Sequence, residues 1–157
     1  MRLIFITSKV VASIQASRKL KAHFKNRKLR YMNKLLIASL LTVAVVNLLP
    51  VLGLFSSAQL HKAYGVAVSD PNMQILLRHR ALLFGILGCF VLASIAIPEW
   101  RFVALLMAGV SMASFVLLVF IYDNNNLHLL RIAYVDIFGL VVWMLAMACV
   151  FENSRAA

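Results

Sequence analysis

The sequence predicts an all-α fold, an integral membrane four-helix bundle, and three observations carry that expectation. The chain of 157 residues is 63% hydrophobic and only 13% charged, where soluble domains are near half apolar and a quarter charged. Its apolar residues gather into runs of about 20, the length a helix needs to cross the hydrocarbon of a bilayer. Polar connectors with turn-forming residues separate those runs.

The first element is a basic leader, residues 1–31. It holds Arg2, Lys9, Arg18, Lys19, Lys21, Lys25, Arg27, Lys28 and Arg30 and no acid, so most of the formal charge of +11 belongs to it. Three readings stay open for it: a cytoplasmic basic segment, an acid-free targeting peptide, or sequence upstream of a start at Met32. Residues 32–157 form the membrane domain.

The first span is 35–55. Pro50 is expected to kink it by removing a hydrogen bond and freeing the carbonyl of Val46. Ser56 and Ala58 fit a signal-peptidase site, but the run exceeds the 7–15 residues of a removable apolar core, so it is read as a retained anchor. A polar connector follows. Asp70 then serves as N-cap and Pro71 as first helical residue, opening a helix over 71–97 whose membrane part is 75–97. Pro98 and Glu99 end it, and the short connection through Trp100 and Arg101 forces an antiparallel hairpin, with Trp100 as interfacial anchor. The third span is 102–122. Asp123 to Asn126 form a stop, and the fourth span, 129–151, contains Arg131 and Asp136.

Four spans put both termini on one side. The excess of Lys and Arg makes that side cytoplasmic, with Lys34, Arg101 and Arg155 joining the leader and Lys62, Arg78, Arg80 and Arg131 outside. Cys89 and Cys149 then lie at different depths, too far apart for a disulfide. His61, His79 and His128 match no metal-ligand spacing, so no metal and no cofactor is expected.

Asp136 is the most informative residue, because an ionisable side chain inside a span is costly and needs partners. Asn47 and Ser114 fall in its layer, about 10–12 Å below the outer surface. The stripe Arg78, Ala81, Gly85, Gly88 and Leu92 turns Arg78 toward the bundle and leaves Arg80 facing elsewhere. A ligand-binding polar cluster of Asp136, Arg78, Asn47, Ser114 and His79 is the sharper expectation. In the plainer one, Asp136 and Arg78 join helices while Asn47 and Ser114 bond backbone carbonyls. Arg80, Arg131 and Lys62 are assigned to lipid phosphates.

Ala63-Tyr64-Gly65-Val66, Asp70-Pro71-Asn72 and Arg78-His79-Arg80-Ala81, opening a Gly-spaced helix, resemble a family of small uncharacterised bacterial four-helix integral membrane proteins, with Asp136 at an acidic position of the last helix. The resemblance covers roughly residues 33–150 and implies a bacterial inner membrane. Members are sometimes labelled phosphopantetheine adenylyltransferase, whose soluble fold needs alternating strands and helices and a His-x-Gly-His phosphate site. This sequence has neither.

No catalytic motif is found. The leading functional expectation is a non-enzymatic small membrane protein, either an accessory subunit or a binder of a lipid-like or small polar ligand. The alternatives are a proton-coupled carrier component using Asp136 and a membrane enzyme acting on a lipid or quinone. Expected partners are membrane lipids and another membrane subunit or small ligand, with no nucleic acid.

Overall fold

The computed structural model describes residues 2–65, 70–122 and 126–156, and among them every regular element is helical. The chain divides into two units, Met1–Leu35 and Leu36–Ala157. Helix α1 is Arg2–Leu48, α2 is Ser57–Tyr64, α3 is Pro71–Ala96, α4 is Arg101–Ile121 and α5 is Leu127–Ala156, with 3-10 segments at Leu49–Leu54 and Pro98–Trp100. Among the described residues, four stretches are long and apolar enough to cross a membrane: Lys19–Leu54, Pro71–Ala96, Pro98–Ile121 and Leu127–Arg155.

In the first unit the basic leader is helical, and its Lys19, Lys21, Lys25, Arg27, Lys28 and Arg30 side chains are all exposed, with Leu29 half-buried among them. The His23 and Phe24 rings meet edge to face at 6.4 Å.

The second unit departs from the expected single span at Pro50. The α-helix stops at Leu48 and the chain winds on as a 3-10 helix to Leu54. A proline lacks the N–H for the ordinary i to i−4 bond and its ring crowds the carbonyl four residues back, so a tighter winding replaces a kink. The connector also holds an element the sequence reading left out. In α2, Leu60 is fully buried and Tyr64 is 5% exposed. Gly65 ends it at φ 65°, donating its N–H to the His61 carbonyl at 2.8 Å.

Helix α3 starts as read from sequence, with the Asp70 side chain accepting from the Asn72 N–H at 3.1 Å and Pro71 in the first turn. It ends at Ala96, and Ile97 is extended, as a residue before proline prefers. Arg101 then reaches back, its Nε and Nη2 donating to the carbonyls of Ser94 and Ile95 at 3.2 Å each. Helix α5 runs past the expected end into the polar tail, with Arg155 in its last turn, where a cation suits the negative end of the helix dipole. Val66 of the family-like motif and Asp123, Asn124 and Asn125 of the expected stop lie outside the described residues.

Four helices share one core: Leu36, Leu40, Val43 and Ala44 from α1, Val91 from α3, Ala104, Leu105, Ala108 and Met112 from α4, and Ala146 and Cys149 from α5. Small residues let the backbones approach. At Gly88 of α3, an added Cβ would fall 2.6 Å from Leu48 Cγ and 3.2 Å from the Ala44 carbonyl oxygen. At Gly109 of α4 it would enter the Trp143 indole, whose Nε1 donates to the Leu105 carbonyl at 2.6 Å. Cys89 and Cys149 are free thiols.

The outer faces are as apolar as the core. Leu82, Leu83 and Ile86 on α3, Leu106, Met107 and Val110 on α4, and Phe138, Val141 and Met144 on α5 are all exposed. In the most apolar window of α3 only 17% is buried. Helices that are apolar all round need an apolar surrounding on every side.

Candidate functional site

A cavity of about 410 Å³ lies beneath α2. Its lining follows helical spacing on each element: Gln59, Lys62 and Ala63 on α2, Arg80 and Phe84 on α3, and Arg131, Ile132, Val135 and Asp136 on α5. Residues three and four apart share a helix face, so each helix presents one stripe inward. Val46, Leu49, Pro50, Leu52, Gly53 and Tyr64 complete the wall.

Helix α2 is tied over this space by the start of α5. Asn126 Nδ2 donates to the Tyr64 carbonyl at 2.8 Å, and the Asn126 Oδ1 accepts from the His128 N–H at 2.9 Å. His128 Nδ1 lies 3.0 Å from the Lys62 carbonyl oxygen, a hydrogen bond in the tautomer that carries its proton there. Leu60 and Tyr64 pack with Leu77, Leu129 and Ile132 to form a small second core under the same helix.

The charges are graded by burial. Lys62 and Arg131 are exposed, Arg80 is half-buried, and Asp136 is 6% exposed. Asp136 lies five residues along α5 from Arg131, about 7 Å of helix rise. Arg80 lines the same cavity as the Asp136 carboxylate. Its guanidinium is also surrounded by rings, at 4.5 Å from the centre of Phe115, 5.3 Å from Phe84 and 5.6 Å from Tyr64. Ring faces attract a cation and restrain it, so Arg80 is held by aromatic contact at a cavity that also carries the opposite charge of Asp136.

A wider groove of about 900 Å³ lies between α3 and α4, lined by Leu76, His79, Leu83, Ile86, Leu87 and Phe90 from α3 and by Leu106, Met107, Val110 and Ser111 from α4. Arg80 and Phe84 line both spaces.

The cavity brings Asp136 together with Arg80, Lys62 and Arg131, the three cations that the sequence reading assigned to lipid phosphates. The other members of the expected polar cluster do not line it. Arg78 is half-buried elsewhere on α3, and His79 is exposed at the α3 and α4 groove. Asn47 is 1% exposed, its Nδ2 donating to the Val43 carbonyl at 2.8 Å while its Oδ1 has no donor among the described residues. Ser114 is exposed and donates to the Ser111 carbonyl at 2.9 Å. Among the described residues, no three His, Cys, Asp or Glu side chains gather as metal ligands would.

Comparison with protein-family models, curated proteins and solved structures finds no match to this chain, so its chemistry rests on the site itself. One carboxylate, three cations, a phenol and an amide over apolar walls are groups that hold and orient a charged amphiphile. Sequence reasoning missed Gln59, Tyr64, Phe84 and Phe115. Signals pointed to two of them: Phe84 follows Arg80 at i+4, and Tyr64 follows Leu60 at the same spacing just before a glycine.

Proposed function

We propose that this chain is a non-enzymatic integral membrane protein that binds a lipid-like ligand with a polar head in the cavity under α2. On this reading it crosses a bacterial inner membrane four times as a helical bundle, with both termini cytoplasmic and α2 at the outer end. The observation that carries the reading is the pairing of graded charge with apolar walls in one cavity lined by Lys62, Arg80, Arg131 and Asp136. The apolar outer faces of α3, α4 and α5 support the membrane setting. Between the two leading roles, the cavity favours a binder over an accessory subunit, which would instead reveal itself by a partner that co-purifies in mild detergent.

The test is native mass spectrometry of the full chain released from a mild detergent. Small-molecule or lipid adducts are expected on the wild type and should fall sharply in Val135→Trp, which fills the cavity from α5. Equal adducts on a helical, monodisperse V135W protein would refute the reading. A second reading, a proton-coupled carrier, draws on the buried Asp136 carboxylate in the same cavity. It requires Asp136→Asn to insert normally and abolish proton-driven uptake, whereas a carboxylate that only joins helices predicts a protein that inserts poorly.

A further inference from the structure

We infer that the ligand is an anionic phospholipid, its phosphate held between Lys62 and Arg131 at the cavity mouth and one chain crossing the Arg80 and Phe84 ridge into the groove between α3 and α4. The inference rests on the lipid-binding reading above and names the class of lipid.

Charge selects the head. Three cations line the cavity against one carboxylate. Arg80 and Asp136 are the less exposed cation and carboxylate of that lining, and Lys62 and Arg131 are its exposed cations. A phosphodiester accepts charge-assisted hydrogen bonds from both side chains. A zwitterionic head would bring its ammonium to a rim that, among the described residues, offers two cations and no exposed carboxylate.

Apolar contact separates a lipid from a free anion. Exposed ion pairs contribute little in water because solvent and salt screen them, so two rim cations hold a small phosphate weakly. Affinity must come from apolar contact, and both the cavity and the groove are lined mainly by apolar side chains. Arg80 and Phe84 border both spaces, so the two adjoin, and a tail laid across those two side chains from a head in the first would enter the second. Arg80, restrained by three rings, is the polar boundary where head gives way to tail.

The experiment titrates the full chain in a mild nonionic detergent with phosphatidylglycerol, with phosphatidylcholine of the same chains, and with inorganic phosphate or glycerol phosphate, read by native mass spectrometry. Phosphatidylglycerol is expected to bind about tenfold more tightly than phosphatidylcholine, and Lys62→Gln with Arg131→Gln should erase that preference, about threefold for each cation. Val110→Trp, which fills the groove at a surface position away from the cavity, should weaken phosphatidylglycerol several-fold. Equal binding of the two lipids overturns the anionic head while leaving the lipid-binding reading intact. Displacement of phosphatidylglycerol by equimolar inorganic phosphate or glycerol phosphate overturns the lipid source. Unchanged binding by V110W overturns the tail path. Failure of both lipids to bind above the level of V135W overturns the lipid-binding reading itself.

Discussion

Replacing Gly109 by alanine puts a methyl group where the Trp143 indole now lies. The new Cβ would fall 2.7 Å from Nε1 and 2.8 Å from Cζ2, closer than carbon atoms approach, so the ring must withdraw. Withdrawal breaks the 2.6 Å bond from Nε1 to the Leu105 carbonyl. Overpacking of this kind costs about 1–3 kcal/mol and the lost hydrogen bond about 0.5–1.5 kcal/mol. Alanine in place of glycine returns about 1 kcal/mol of helix propensity. The net expectation for Gly109→Ala is a loss of about 1–3 kcal/mol. Trp143→Ala alone should cost up to about 3 kcal/mol by emptying a half-buried ring site, but it also clears the space above Gly109. In that background the sign reverses, and Gly109→Ala should stabilise by up to about 1 kcal/mol. The measurement is reversible unfolding of the detergent-solubilised chain in rising dodecyl sulfate, followed by circular dichroism, for the wild type, both single variants and the double variant. If Gly109→Ala costs the same with and without the indole, additive within about 0.5 kcal/mol, the close contact between α4 and α5 is not what holds this seam.

Three further substitutions test other joints of the fold. Asn47→Leu removes a buried Oδ1 that finds no donor among the described residues, and the same unfolding titration should show a gain of about 1 kcal/mol; a loss of similar size would mean that Asn47 serves a partner. Arg101→Ala strips two donors from the last carbonyls of α3 and should lower stability by about 1–3 kcal/mol, with Arg101→Lys recovering part of it. Gly65→Ala sets a side chain at φ 65° and 2.5 Å from His128 Cδ2, at a cost of about 1–2 kcal/mol. The damage should stay local, read as faster hydrogen exchange across 57–65 with α3 to α5 unchanged.

The long helices were legible because span length and apolar runs are local properties of the chain. The start of α3 could be read from Asp70 and Pro71 alone, since a cap is decided by its own few residues. Helix α2 was not legible, because its eight residues carry only two apolar side chains that matter, Leu60 and Tyr64, and their burial depends on Leu129 and Ile132 far along the chain. The site suffered for that omission. Helical spacing on α3 alone directs Arg78 inward and Arg80 aside, but Tyr64 from α2 and Phe115 from α4 come to the Arg80 guanidinium from other elements. Asp136 stood out from sequence because any carboxylate in such a run does, whereas its neighbours in the cavity could be named only once α2 was laid across them.

Pro50 has an effect that reaches beyond its own turn. A 3-10 helix advances about 2.0 Å and 120° per residue against about 1.5 Å and 100° in an α-helix, so every third side chain falls in register. Leu49 with Leu52, and Pro50 with Gly53, therefore stack as two columns, and all four border the cavity. Rewinding this segment to α geometry would shorten it by about 3 Å and swing the later pair away by roughly 60° over three residues. A ring with no charge and no hydrogen to donate thus governs the width of the chamber by setting the screw of its wall.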